Sequence, residues 1–197
     1  QIAYIKENIK YIKEPILIIG SKEYDFDEYN FRNEFNRLGY SQIIGIDIQS
    51  GKGVDFEESI CNLTKIFINK YIEYFNTVIC MQTLYAVQNP FTASKNIEKL
   101  LSKNGVLIFS DAFSHKISRI PTDYWRFTYD AHKVLFSSMV FNDENVKLGI
   151  TRLNKLIKFS YPFPELGRYT KQTNESTLGY LVRKIYIKLF SMGLLKL

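Results

Sequence analysis

The chain has 197 residues, of which 46% are hydrophobic and 23% are charged, values typical of a globular domain with a substantial core. This composition excludes fibrous and disordered classes, and no run of 18 or more apolar residues predicts a membrane-spanning helix. The net charge is +6, but from Val146 onward ten Lys/Arg oppose only Glu165 and Glu175, giving +8, so residues 1–145 sum to −2. Such an excess is typical of a solvated basic face or of a protein that meets an anionic partner.

The N-terminal segment and the cysteines indicate where the protein works. Isoleucines at spacings of three and four predict an amphipathic helix over residues 2–13, without the apolar core of a secretory signal. Cys61 and Cys80 are isolated in apolar surroundings, and with only two histidines the chain has no zinc-binding spacing. We therefore expect reduced thiols, no metal and a cytoplasmic location.

Residues 15–55 have the pattern strand, loop, helix, strand. The apolar run 16–19 predicts a buried parallel strand, and Gly20 allows a sharp turn after it. A helix containing Phe31 and Phe35 is predicted to end at Gly39. The second strand follows as an apolar run with Asp47 near its end, the pattern of half of a nucleotide-type binding site.

The same alternation continues to residue 111. A helix over about 66–75 is followed by a strand at 77–81, then by a helix over about 91–103 that stops at Asn104-Gly105, and by a strand at 106–109. This pattern predicts an α/β fold, a Rossmann-like doubly wound, mostly parallel sheet with helices on both faces. Its ligand crevice is expected at the carboxyl ends of the strands. Those ends are Gly20-Ser21, Asp47-Ile48, Met81-Gln82 and Asp111-Ala112.

The remaining chain is less regular. After a long connection over 114–128, a helix is predicted at 129–136 and a strand at 146–153, with no prediction for 154–174. The last stretch carries an apolar stripe opposite Arg183, Lys184 and Lys188, which predicts an amphipathic helix. Such a helix either lies on a membrane surface or, more commonly, packs on its own domain or on a second subunit of a homodimer. We expect a single domain over 1–197, with an N-terminal helix (1–14), a core (15–153) and a variable C-terminal extension (154–197).

The loop after the first strand constrains the ligand. A dinucleotide site needs G-x-G-x-x-G there, whereas residues 20–25 contain one glycine and two acids, which would repel a pyrophosphate. S-adenosylmethionine, a cofactor without phosphates, fits better. Asp47 is placed to accept both ribose hydroxyls, and acidic and aromatic neighbours suit the sulfonium cation. An Asp at this place is also a common turn former or helix cap.

Several motifs resemble class I S-adenosylmethionine-dependent methyltransferases over about residues 15–136. They are Ile-Ile-Gly-Ser at the first strand, Gly45-Ile46-Asp47-Ile48, Gly51-Lys52-Gly53-Val54-Asp55 and Cys61-Asn62-Leu63-Thr64. Pro121-Thr122-Asp123-Tyr124-Trp125-Arg126-Phe127-Thr128 is similar to the P-x-D-Y-W-R-F-T signature of one branch of that family, and is the most specific motif in the chain.

The resemblance implies a role for each matching position. Gly20 and Ser21 would line the methionine portion of the cofactor, and Asp47 would bind its ribose. Ile48 would pack on the adenine. Cys61 and Asn62 would flank the adenine amine. Met81 and Gln82 would lie beneath the cofactor, near the methyl group.

The expected reaction is methyl transfer to a small-molecule or glycan hydroxyl or amine, in keeping with a branch that often serves surface-polysaccharide pathways in bacteria. A hydroxyl acceptor benefits from a general base, for which the candidates are His115 and Asp111. Tyr85 and Tyr124 are candidates for the acceptor pocket.

The signature loop and the departures from the family add further expectations. Asp123 and Arg126 are expected to pair and hold the loop, with Tyr124 and Trp125 buried as its anchor. Where the resembled family has Glu-His and His, this chain has Tyr85-Ala86 and Ser118, so a non-catalytic binding or scaffold protein is the alternative.

A nucleic-acid methyltransferase is a third reading, prompted by the basic C-terminal portion. It is disfavoured because no Asn/Asp-Pro-Pro-Tyr/Phe motif is present.

Overall fold

A computed structural model describes residues 1–25, 30–114, 117–118, 121–152, 155–163 and 175–191. The chain divides into two compact units, Gln1–Phe141 and Asn142–Leu197. The first unit carries the predicted crevice, and the second carries most of the basic C-terminal portion.

Strands and helices alternate along the first unit, with short 3-10 turns at Ile9–Tyr11 and Leu84–Ala86. In chain order, its described elements are α1 (Ile2–Glu7), β1 (Ile16–Ile19), α2 (Phe31–Arg37), β2 (Ile43–Asp47), β3 (Phe56–Glu57), α3 (Lys65–Tyr71), β4 (Phe75–Met81), α4 (Pro90–Leu100), β5 (Leu101–Ser110) and α5 (Tyr129–Leu135).

Four of these helices begin at a side-chain cap. In each case an Asn or Thr side-chain oxygen accepts the backbone N–H three residues later, which satisfies one of the unpaired donors of the first turn. The four caps, of α2 to α5 in order, are Asn30, Thr64, Asn89 and Thr128.

The five strands form one parallel sheet in the order β3-β2-β1-β4-β5. After β1 the chain builds outward through β2 and β3, then crosses to the other side of β1 for β4 and β5. The strand order therefore reverses between β1 and β4, and such switch points are where open α/β sheets bind ligands. The predicted Rossmann-like α/β fold is confirmed.

Alternate residues of the buried strands supply two separate core layers. In β1, Leu17 and Ile19 pack with residues of α3, α4 and α5. Ile16 and Ile18 pack on the opposite face with residues of α1 and α2. Both faces of the sheet are thus covered by helices, which explains why β1 is apolar at all four positions.

The predicted boundaries differ from the structure in three places. The helix expected over 2–13 is interrupted, with α1 at Ile2–Glu7 and a 3-10 turn at Ile9–Tyr11. The helix expected over about 66–75 ends at Tyr71, and the strand expected from Thr77 begins at Phe75. The helix expected to run to Lys103 ends at Leu100, and the strand expected from Val106 begins at Leu101. Asn104 has a φ of +65°, and the β4–β5 ladder shifts register between Phe75 and Thr77. Asn104-Gly105 therefore forms an irregularity within β5 and does not end a helix. The prediction was wrong because Asn and Gly are common both at helix ends and at irregularities within strands.

The second unit contains an antiparallel hairpin and a helix among its described residues. Strand β6 (Lys147–Arg152) agrees with the predicted strand, and β7 (Lys155–Ser160) falls where no element was predicted. Helix α6 (Thr177–Ser191) coincides with the predicted amphipathic stripe. No helix in the described part of the chain combines the length and the apolar character needed to cross a membrane.

Candidate functional site

Backbone hydrogen bonds bring the predicted strand ends together in pairs. The N–H groups of Gly20 and Ser21 both donate to the carbonyl of Ile46, at 2.9 and 3.1 Å. On the other side of the switch point, the N–H of Gln82 donates to the carbonyl of Ser110 at 2.7 Å. The loop after β1 therefore lies beside the end of β2, and the end of β4 lies beside the end of β5.

Asp47 bridges the loop after β1 and the turn after β2. Its Oδ2 accepts the N–H of Lys22 at 3.2 Å, and its Oδ1 accepts the N–H of Gln49 at 3.1 Å. A carboxylate has about four acceptor positions, so acceptor capacity remains for a ligand at this half-buried group. The next residue, Ile48, leaves 51% of its surface exposed and offers an apolar face beside the carboxylate.

Gly20 sits where no other residue fits without strain. Its φ is +71°, and a Cβ at this position would lie 2.5 Å from Oγ1 of Thr83. That hydroxyl donates to the carbonyl of Ile19 at 3.2 Å, so it is held in place. The loops after β1 and β4 thus approach each other closely at the switch point, and a side chain at position 20 would force them apart.

Ser21 is packed under the turn at 51–55. Gly53 has a φ of +85°, and a Cβ there would lie 2.5 Å from the carbonyl oxygen of Ser21. The Oγ of Ser21 is buried and has no hydrogen-bond partner among the described residues. It faces Gly45, where a Cβ would lie 2.6 Å from it, so the glycine at position 45 leaves the space that the Ser21 side chain occupies.

The two acids of the loop are directed to a lysine. Glu23 forms an ion pair with Lys52 at 2.7 Å, and Glu23 followed by Asp25 raise the pKa of that lysine. The negative charge of the loop is therefore largely compensated. The electrostatic argument against a pyrophosphate therefore depends mainly on Asp47. The steric argument, that the loop lacks the further glycines of a dinucleotide site, is unchanged.

The segment that carries Cys61 and Asn62 is anchored to the end of β2. The N–H of Glu58 donates to the carbonyl of Asp47 at 2.9 Å, and the Glu58 carboxylate accepts the N–H of Thr64 at 2.9 Å. Asn62 is exposed, and the Cys61 thiol lies 3.4 Å from the carbonyl of Asn89. Both predicted adenine residues are thus on a fixed turn next to β2.

The end of β4 presents backbone rather than side chain at Met81. The Met81 side chain is buried in the core layer under α1 and α2, and its sulfur accepts a hydrogen bond from the Ser110 hydroxyl at 3.2 Å. Gln82 adopts a φ of +53°, an uncommon conformation for a residue other than glycine, with a cost on the order of 1 kcal/mol. Strained backbone of this kind is frequent at binding sites.

Asp111 is buried and belongs to a pair. Its side chain is fully buried, Oδ1 accepts the N–H of Tyr85 at 3.1 Å, and Oδ2 lies 3.4 Å from Nε2 of His132. Burial raises the pKa of Asp111, while His132 and the Tyr85 N–H act in the opposite direction. A carboxylate in this setting holds the turn at Leu84–Ala86 against α5, which favours a positioning role over the predicted role as general base.

His132 is a site residue that the sequence interpretation missed. Its ring lies 4.8 Å from that of Phe109 and 5.2 Å from that of Phe127. In the sequence His132 precedes the apolar Leu135 and Phe136 by three and four residues, which places it on their side of the helix, but its partner lies 21 positions away in the sequence. The other predicted base, His115, lies outside the described residues.

The signature segment is laid along the turn after β4. The carbonyl of Tyr85 accepts the N–H groups of both Tyr124 and Trp125 at 3.0 Å. Thr122 Oγ1 donates to the carbonyl of Ala86 at 2.9 Å, and the Trp125 indole N–H donates to that of Val87 at 2.8 Å. The segment is therefore fixed almost entirely through main-chain acceptors.

The predicted Asp123–Arg126 pair is confirmed. Nη2 of Arg126 donates to Oδ2 of Asp123 at 2.8 Å, and the same carboxylate accepts the N–H of Ser118 at 2.7 Å. The predicted burial of Tyr124 and Trp125 is wrong, because 52% and 39% of their surfaces are exposed. Hydrogen bonds hold these two residues, and Phe127, 7% exposed, is the buried anchor.

An open hollow of about 520 Å³ lies along the signature segment. Of the two tyrosines predicted for an acceptor pocket, Tyr124 lines this hollow and Tyr85 does not. The hollow is lined by Ile117, Pro121, Thr122, Asp123, Tyr124 and Arg126.

Within the described ranges, no group of three or more His, Cys, Asp or Glu residues is arranged to hold a metal ion. No family model matches the chain, and no curated protein matches it significantly.

Proposed function

We propose that the protein is an S-adenosylmethionine-dependent methyltransferase that acts on a hydroxyl or amine of a small molecule or glycan. The observation that carries the proposal is the placement of Asp47. Its carboxylate lies at the end of β2, bonded to the loop after β1, beside the exposed Ile48 and next to the switch point of a parallel sheet. The methyltransferase-like motifs of the sequence support the same interpretation.

The residues at the strand ends fit this cofactor. Asp47 retains acceptor capacity for the ribose hydroxyls, and Ile48 offers an apolar surface to the adenine. The main chain of Ser21 lies beside the end of β2, next to the position proposed for the amino-acid portion. The glycine at position 20 lets the loops after β1 and β4 meet, which brings the strand ends on the two sides of the switch point together. Bound there, the cofactor would supply a methyl group attached to a sulfonium, and the neutral thioether left after transfer is a good leaving group.

Catalysis in this proposal depends mainly on positioning. In-line displacement is accelerated when the acceptor is held in the attacking orientation and water is excluded. Asp111 and His132 hold the turn at Leu84–Ala86, and Tyr85 in turn holds the signature segment. Since Asp111 is buried, we assign proton removal from a hydroxyl acceptor to His115.

Free Cys61 and Cys80 support a reducing, cytoplasmic setting.

Calorimetry with S-adenosylhomocysteine and its 2′-deoxy analogue tests the assignment of Asp47. For the natural ligand we expect Asp47→Asn to weaken binding by roughly tenfold, because a charged hydrogen bond to the ribose is lost. For the 2′-deoxy analogue the same substitution should have a smaller effect. Equal losses for both ligands would assign Asp47 to loop positioning, and no binding by the wild type would reject the cofactor.

A cofactor-binding protein without catalytic activity is the second candidate. It is favoured by the burial of Asp111, which removes one of the two predicted bases. Binding of the cofactor without methyl transfer to a broad panel of saccharide and small-molecule acceptors would support it over the enzyme. A His115→Ala variant that keeps cofactor affinity and loses turnover would support the enzyme.

A further inference from the structure

Helix α6 exposes a continuous apolar stripe. With 3.6 residues per turn, positions spaced by three and four lie on one side of a helix. Five such residues of α6 are between 43% and 72% exposed. They are Leu178, Leu181, Val182, Ile185 and Tyr186, and we call them the α6 stripe. An exposed patch of large aliphatic side chains usually marks a contact surface.

Positive charge accompanies the α6 stripe. Helix α6 contains Arg183, Lys184 and Lys188 and no acidic residue. Arg183 pairs with Glu175 at 2.8 Å, and Lys184 lies over the Tyr180 ring. The two strands of the hairpin in the same unit carry four Lys/Arg and no acid. An apolar stripe next to cations, in a unit of net positive charge, complements a surface that is both anionic and apolar.

We propose that α6 docks in the plane of an anionic lipid bilayer, with the α6 stripe inserted among the acyl chains and its lysines at the headgroups. The described part of the helix has 15 residues and is therefore about 22 Å long, shorter than the ~30 Å of a bilayer core. This length suits a helix that lies on the membrane. Docking of this kind is independent of the methyltransferase proposal.

Two other partners, a second copy of α6 and a nucleic acid, would each complement either the cations or the α6 stripe, but not both. A second copy of α6 would bring its own cations against those of the first, with no acid on either helix. A nucleic acid would satisfy the cations, but the aliphatic stripe has no use against a phosphodiester backbone. Both remain distinguishable outcomes of the experiment below.

The test is co-sedimentation of the full chain with vesicles of phosphatidylcholine alone or mixed with phosphatidylglycerol. We expect binding to the mixed vesicles that weakens as salt is added, and little binding to the neutral ones. Ile185→Asn should reduce binding at least tenfold, roughly the effect of burying one aliphatic side chain. Replacing Lys184 and Lys188 together by Gln should reduce it by roughly 25-fold, about fivefold for each charge.

Matched controls carry the same changes on the first unit. Ile66 on α3 is 82% exposed, so Ile66→Asn repeats the apolar change outside α6. Lys65→Gln with Lys95→Gln repeats the loss of two charges at exposed positions. Both controls should bind mixed vesicles as the wild type does.

Four outcomes would overturn the proposal. The first is equal binding to neutral and anionic vesicles, and the second is equal loss in variants and controls. The third is oligonucleotide binding that competes with vesicles and is unchanged by Ile185→Asn. The fourth is that Ile185→Asn, and not Ile66→Asn, dissociates a dimer in sedimentation or lowers the melting temperature, because the stripe would then be covered by protein.

Discussion

The two units differ in where they keep their apolar side chains and their charge. Gln1–Phe141 has sixteen Lys/Arg and sixteen Asp/Glu, so its net charge is zero, and it buries two apolar layers on either side of a sheet. Asn142–Leu197 has ten Lys/Arg and four Asp/Glu, a net charge of +6, and exposes the α6 stripe. The whole net charge of the chain thus belongs to the second unit. The large side chains of the first unit's layers contribute to folding through burial, whereas those of the α6 stripe contribute little because they are exposed.

The largest test of this difference is the removal of one large side chain from each unit. Phe75 on β4 is fully buried between Tyr71 and Tyr74, with ring centroids 5.4 and 5.2 Å away. We expect Phe75→Ala to lower the free energy of unfolding by about 3–5 kcal/mol. Ile185→Ala on α6 should change it by less than about 0.5 kcal/mol. Urea denaturation followed by circular dichroism measures both, and comparable losses would break the contrast.

A second test compares glycines at the crevice and in α6. At Gly20 an alanine meets both the left-handed φ and the Thr83 hydroxyl, so we expect a loss of about 2–4 kcal/mol. Gly39 has a φ of +91° with open space around it and isolates the backbone cost, about 1–2 kcal/mol. Gly179 lies in the first turn of α6, where a Cβ would be 3.1 Å from the Ser176 hydroxyl that accepts the Gly179 N–H. The gain in helix propensity, up to about 1 kcal/mol, is opposed by this contact, so alanine there should change the free energy of unfolding by less than about 1 kcal/mol.

Thermal unfolding of the three variants gives the order. If Gly20→Ala is no worse than Gly39→Ala, the loops after β1 and β4 do not approach each other as closely as the structure has them. Cofactor affinity, measured by calorimetry on the same variants, should fall for Gly20→Ala alone.

The smallest test concerns pH. Because burial raises the pKa of Asp111, the folded state holds this proton more tightly than the unfolded chain. The stabilisation is complete below the unfolded pKa of about 3.9 and is lost as pH rises through the folded pKa. Asp111→Asn has no such proton, so the stability of wild type relative to this variant should decline with rising pH over that window. Asp130→Asn, an exposed change on α5, is the control, and an equal slope there would show that Asp111 is not the source.

Local pattern was sufficient to predict four of the five strands of the sheet and their carboxyl ends, whereas the two-residue β3 (Phe56–Glu57) was not predicted. Fully apolar runs such as 16–19 have few alternatives to a buried parallel strand, and the ligand edge of the sheet follows from strand polarity. The sequence pattern gave a wrong prediction where the same residue types are common in two different local structures. Asn104-Gly105 suits a helix stop and a strand irregularity equally, and the register of β5 against β4 decided between them.

The site was predictable only where its contacts are local. The Asp123–Arg126 pair spans three residues and was predicted, whereas the Asp111–His132 pair joins β5 to α5 through the fold. The exposure of Trp125 was also missed, because its hydrogen bond to Val87 depends on how the signature segment lies along the turn after β4. Contacts of this kind carry no periodicity in the sequence.

Tyr85 joins the turn after β4 to the signature segment through its main chain. Its carbonyl accepts the N–H groups of Tyr124 and Trp125, and its own N–H donates to Asp111, so these three hydrogen bonds use only the main chain of Tyr85. Any amino acid except proline retains that donor and acceptor. The side chain at position 85 can therefore change without loss of these three hydrogen bonds, so the turn after β4 and the signature segment stay joined whichever residue stands there.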